Sequence, residues 1–164
     1  MKWFCIHTSP AREPQIATYL EKTLGLETYS PRIIQERKAR GIMSEVASPL
    51  FPRHLFCRLD LATQYHAVRS APEVVDFVRQ GDDPAVVHDG IIEQLKSWAG
   101  EGVDVPNFHP GSQPGIRVEV AAGSILALNK SILQIKSDRD RTAILRAILE
   151  GGTQVSAVSV HDKI

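Results

Sequence analysis

A chain of 164 residues, 43% of them hydrophobic, fits one or two domains and can bury a substantial core. Its nineteen basic and nineteen acidic residues cancel, which excludes a whole-molecule electrostatic pull on nucleic acid or an anionic membrane, so any such contact must be local. Cys5 and Cys57 lie in apolar runs with no CxxC pairing, the first residues lack an apolar signal region and no run reaches membrane-spanning length, so two small buried hydrophobes in a reducing cytoplasm are expected.

Trp3-Phe4-Cys5-Ile6-His7 reads as an opening strand, broken by Thr8-Ser9-Pro10. A helix follows from Pro14 to about Leu24, where Ile16, Leu20 and Leu24 recur at helical spacing, Ala17 broadens the stripe and Gly25 is placed to end it. Tyr19, Lys22 and Thr23 fall off that stripe and are expected to face solvent. Glu27 to Tyr29 extends toward Pro31, and the runs on either side of Arg40-Gly41 read as a hairpin with glycine in its turn. Arg32, Arg37, Lys38 and Arg40 make that arm basic, which suits phosphate contact and equally suits an edge guarded against aggregation.

Ser48 to Asp60 organises the rest. Two prolines bracket Leu50-Phe51 and place that pair at a strand entrance. On the strand that follows, Leu55, Cys57 and Leu59 share one face and His54, Phe56 and Arg58 the other. If the first set is the core, Phe56 points outward and forms a docking patch with Leu50-Phe51. The alternative is a sheet covered by helices on both sides.

Thr63 to Ser70 is expected to form a loop or short strand, leading to a strand over Val74 to Val78 and a turn at Gly81. Ile91, Ile92, Leu95 and Trp98 keep helical spacing from Asp89, a candidate N-cap. The predicted class is α+β, with helices covering one face of a mostly antiparallel sheet. Glycines and prolines crowd residues 100 to 115, so residues 1–102 are expected to form one domain, 103–115 a linker and 116–164 a second, small domain. Ile116 to Val120 alternates as a strand. Beyond it, Ile125, Leu128, Ile132 and Ile135, then Ile144, Leu145, Ile148 and Leu149, keep helical spacing, while Leu133 with Ile135 and Val155 with Ala157 fit strand alternation. Asp138-Arg139-Asp140-Arg141 reads as a solvated turn or a helix start. The histidines show no HxH or HExxH spacing, and no phosphate-binding glycine loop or GxSxG occurs, so no enzyme activity, cofactor or metal is expected.

Trp3-Phe4, Pro49-Leu50-Phe51-Pro52-Arg53-His54-Leu55-Phe56, Val68-Arg69-Ser70-Ala71-Pro72, Phe77-Val78-Arg79 and the region from Pro110-Gly111 to Gly123 resemble the NusG family of transcription elongation factors over nearly the whole chain. Phe77 to Gly81 and Pro84-Ala85-Val86-Val87 resemble its specialised RfaH-like antitermination paralogues. The resemblance implies an N-terminal NGN α/β sandwich, with an antiparallel sheet and flanking helices, and a small C-terminal KOW domain. It implies no catalysis. It implies docking on the clamp helices of the largest RNA polymerase subunit through Phe51, Pro52, His54 and Phe56, and contact with the opposite side of the cleft through Gln64, Tyr65 and His66. Contact with the non-template DNA strand is implied at Tyr19, Lys22, Thr23, Arg69 and Ser70. A ribosomal protein or Rho would be reached through the C-terminal part of a monomer that makes no membrane contact. That part keeps only Gly123 of the usual KOW glycines, so a β-barrel and an α-helical hairpin folded over Phe56 both remain open. A KOW-type RNA-binding or ribosome-associated module is the rival function.

Overall fold

The computed structural model describes residues 1–99 and 138–150, without the side chains of residues 34–37, 98, 99 and 138. In chain order the elements are β1 (Lys2–Thr8), α1 (Glu13–Leu24), β2 (Glu27–Tyr29), β3 (Arg32–Ala39), β4 (Ile42–Pro49), β5 (His54–Leu59) and α2 (Leu61–Arg69). There follow β6 (Val74–Phe77), β7 (Arg79–Gln80), β8 (Asp83–Pro84), β9 (Val86–Val87), α3 (Asp89–Ala99) and α4 (Asp138–Leu149). The fold is mixed α/β, built on antiparallel sheets with flanking helices.

β1 is the axis. It pairs antiparallel with β5 from Lys2↔Leu59 to His7↔His54, and β5 carries β2 on its far side. The other edge of β1 takes β6 near Ile6 and β9 at Trp3 and Phe4, with a bulge between His7 and Thr8. Because side chains alternate, Phe4 and Ile6 join Leu55, Cys57 and Leu59 on one face, and Trp3 and Cys5 join Phe56 on the other. Both faces are buried. α1 packs on the first through Ile16 and Leu20, and α2 through Val68. α3 packs on the second through Ile91, Ile92 and Leu95, together with Ile144, Leu145, Ile148 and Leu149 of α4. The expectation of helices on one face only is therefore corrected, and of the two readings of β5 the sheet covered on both sides holds while the outward-pointing Phe56, 1% exposed, does not. Aromatic and branched residues in near-continuous runs, such as Trp3-Phe4-Cys5-Ile6, are what a doubly covered sheet requires.

α1 ends where glycine does: Gly25 adopts φ 65° and its N–H donates to the Glu21 carbonyl. α2 replaces the expected loop or short strand over Thr63 to Ser70. Asp60 starts it, its Oδ1 accepting from the Ala62 N–H at 3.1 Å, while Gln64 Oε1 accepts from the Asp60 N–H at 2.8 Å. Leu61, Tyr65 and Val68 then fall on one helical face against the core. At α3, His88 precedes the helix and its carbonyl accepts the Ile91 N–H, so Asp89 lies in the first turn rather than at the N-cap. β3 and β4 form a separate two-stranded ribbon closed by Arg40 (φ 52°) and Gly41 (φ 82°), the left-handed pair that a two-residue hairpin turn requires. The proposed boundary at 103–115 and most of the C-terminal region lie outside the described residues. Within Asp138–Leu149 the chain is helical.

Candidate functional site

The site is assembled on the turn that enters β5. Arg53 is left-handed at φ 65°, a conformation unfavourable for a residue with a Cβ. Three contacts hold it. The buried Glu13 carboxylate accepts the Arg53 N–H at 2.6 Å, the Arg53 carbonyl accepts the Thr8 N–H at 2.8 Å, and the His54 N–H donates to the Phe51 carbonyl at 3.1 Å. One residue earlier, Leu50 donates its N–H to the Pro31 carbonyl at 2.8 Å. The turn therefore presents Phe51 in a fixed pose, its ring edge-on to Phe56 with centroids 5.9 Å apart and planes at 83°.

Pro52 is exposed and His54 half-buried at the rim. The His54 Nδ1–H donates to the Pro52 carbonyl at 2.9 Å, and its ring stacks on His7 at 5.3 Å. Burial is the main cause holding the His54 pKa below its ordinary value, and the charges of His7 and Arg53 act in the same direction. His7 is lowered for the same leading reason, with Arg53 adding to it. Burial pushes the Cys57 thiol up to about 12 and raises Cys5 as well, so neither is a nucleophile at neutral pH.

The aromatic pair lies in a buried cluster to which both α3 and α4 contribute. Ile144, Leu145, Ile148 and Leu149 join Phe51 and Phe56 in one buried cluster. Arg141, only 8% exposed, extends this stripe by one turn and donates from Nη1 to the Pro49 carbonyl at 3.1 Å. Such a surface can receive an apolar helix face, which is what occupies it here.

The remaining candidate residues separate into two groups. Gln64 spends its amide oxygen on the start of α2, and Tyr65 stacks on Phe77 at 5.0 Å while its hydroxyl accepts from Arg79 at 2.9 Å. His66 alone of the three is exposed, and all three lie on a helix rather than a loop. Lys22 and Thr23 are exposed on α1, but Tyr19 is half-buried against the core. Arg69 pairs with Asp76 at 3.4 Å, and Ser70 is the exposed C-cap of α2. α1 and α2 lie on the face opposite α4, so this set stands apart from the Phe51–Phe56 face.

Sequence reasoning missed Glu13 and Arg141. Nothing in the sequence marks Glu13, whose partner is forty residues away. Arg141 was legible: it stands three and four residues before Ile144 and Leu145, on their face. Among the described residues no group of three or more histidine, cysteine, aspartate or glutamate side chains could hold a metal, and no helix is long and apolar enough to cross a membrane.

The family model described as NusG, "Transcription termination factor nusG", matches residues 1–96. The chain belongs to the NusG family. The solved structure described as "Domain interaction in Thermotoga maritima NusG" is similar at 24% identity, covering 75% of this chain and 68% of that one, with a TM-score of 0.39. The NusG-matched segment ends before α4, so one of the helices packed in the cluster around Phe51 and Phe56 comes from outside it.

Proposed function

We propose that this chain is a transcription elongation and antitermination factor that binds the RNA polymerase clamp helices through the Phe51, Pro52, His54 and Phe56 face. The observation that carries this reading is that the apolar face of the family-matched segment is covered in part by a helix from beyond that segment. A helix packed over an aromatic pair occupies the position that a partner helix would take, and its displacement exchanges one helix-in-groove contact for another. The factor acts by binding the closed polymerase cleft better than the open one, which disfavours pausing and termination. His66 on α2 contacts the opposite side of the cleft. Lys22, Thr23, Arg69 and Ser70 approach the non-template strand, and residues 116–164, beyond a linker at 103–115, serve as the second domain that reaches a ribosomal protein or Rho.

The test is capture of the full chain on core RNA polymerase from its own source, beside Leu145→Asp. The buried charge detaches α4, and capture is expected to rise at least tenfold. Failure of both proteins to bind would end the polymerase reading, and equal binding would end the role of α4 as a cover. On a pause-rich template, Leu145→Asp is expected to shorten pauses more than the parent chain.

A further inference from the structure

Left-handed backbone is disfavoured about five- to thirtyfold for a residue that carries a Cβ, so it persists only where neighbouring contacts hold it. Among the described residues Ala11 (φ 58°), Arg40 (φ 52°), Arg53 (φ 65°) and Glu73 (φ 67°) adopt it. Arg40 closes the β3–β4 hairpin. The other three stand in turns tied together at one end of β1. The Thr8 N–H donates to the Arg53 carbonyl at 2.8 Å, the Ser9 N–H to the Glu73 carbonyl at 2.9 Å, and the Arg12 N–H to the Ser9 carbonyl at 3.3 Å. Glu13 is buried at this junction, 3% exposed, and its Oε1 accepts the Arg53 N–H. Its helix packs on the face of the sheet opposite Phe51 and Phe56. Glu13 therefore reaches from one face to the turn on which the other is built.

We propose that Glu13 is a positioning residue for the docking face: by holding Arg53 left-handed it fixes the pose of Phe51 that a partner helix meets. Phe51 to His54 is a four-residue turn, closed by the His54 N–H on the Phe51 carbonyl. Positive φ at the third position of such a turn ordinarily calls for glycine or asparagine, and here Arg53 fills it. If Arg53 relaxes to negative φ, the closing bond is lost and Phe51 turns away from its edge-on contact with Phe56. Partner affinity thus depends on a buried side chain that the partner does not touch. α4 packs on the same aromatic pair, so in the parent chain losing Glu13 weakens cover and docking together, and the effect on docking is read with α4 displaced. The consequence for polymerase rests on the function proposed above, but the control of the Phe51 pose does not.

The experiment uses full chains carrying Leu145→Asp, captured on core RNA polymerase, with nuclear Overhauser contacts between the Phe51 and Phe56 rings measured on the same chains. Glu13→Ala is expected to lower capture about tenfold and to weaken the ring contacts. Glu13→Gln keeps an acceptor and is expected to stay within about threefold of its parent. On Arg53→Gly, the further change Glu13→Ala is expected to lower capture less than about threefold relative to Arg53→Gly alone, because glycine adopts the turn unaided. Leu20→Ala, on the same helix and in the same core, removes packing without touching the turn. At a temperature where circular dichroism shows every chain folded, it is expected to leave capture unchanged. An equal loss in Leu20→Ala, an equal loss on Arg53→Gly, or undiminished capture in Glu13→Ala would overturn the positioning role. If no chain is captured, the polymerase reading falls and the ring contacts decide the rest. Contacts weakened by Glu13→Ala but kept when it is made on Arg53→Gly would leave the role of Glu13 standing, and contacts unchanged by Glu13→Ala would end it.

Discussion

Arg53 shows how one side chain sets the pose of the site. Its left-handed φ is held by a carboxylate from the first turn of α1, and that bond couples the turn before β5 to a helix on the opposite face of the sheet. Glu13→Ala leaves the Arg53 N–H without this acceptor, and a charged hydrogen bond of that kind contributes about 1.5–3 kcal/mol. A loss of that size in urea unfolding is expected; unchanged stability would show that other contacts suffice to hold the turn. The His7–His54 stack carries the second residue-scale prediction. Both pKa values lie below the ordinary 6.5, chiefly because burial disfavours the charged ring, so the unfolded chain takes up protons first. Their contribution to stability is therefore complete above the unfolded value and falls as pH drops through it toward the native value. The melting temperature is expected to fall from pH 7 to pH 5, with a shallower slope in His54→Gln; an identical slope would assign the effect to other groups. At this scale the sequence showed which side chains alternate on β5, since strand geometry alone fixes that. It did not decide between one covered face and two, because part of the cover on the Phe56 face is contributed by α4, about ninety positions away.

At the scale of elements, the success or failure of sequence reading follows from where the signal sits. α1 carried its stripe and its terminal Gly25 locally, and the β3–β4 hairpin carried its turn glycine, so both were legible. α2 was not read as a helix, because its stripe of Leu61, Tyr65 and Val68 is interrupted by polar residues and its start depends on the Asp60 and Gln64 side chains. Among the described residues the hairpin's strands ladder with each other and with no third strand, and Ile42 and Met43 at its tip are 70% and 57% exposed. A two-stranded ribbon of this kind is marginal without packing. Amides beyond Gln35 and before Val46 are expected to exchange far faster than those of β1 and β5, whose side chains are buried on both faces. Protection equal to that of β1 would mean that something beyond the ribbon pairing holds the arm.

For the whole molecule the question is whether α4 belongs to the same cooperative unit as the sheet. The core on the α1–α2 face contains no residue of α4, and the other core retains Ile91, Ile92 and Leu95 of α3 when α4 leaves. The sheet can therefore survive undocking, at the cost of exposing Phe51 and Phe56. Ile148 is 1% exposed, and Ile148→Ala removes buried methylenes at a cost of about 2–5 kcal/mol. If that cost falls on docking alone, even its lower end raises the ratio of undocked to docked α4 about thirtyfold, since 1.4 kcal/mol is tenfold. Amide exchange over Arg141 to Leu149 is expected to accelerate by that factor while β1 and β5 keep their protection, and polymerase capture is expected to rise in step. Loss of protection in β1 and β5 by the same factor would instead make α4 an integral wall of a single core, and a wall of that kind cannot open without unfolding the surface it covers.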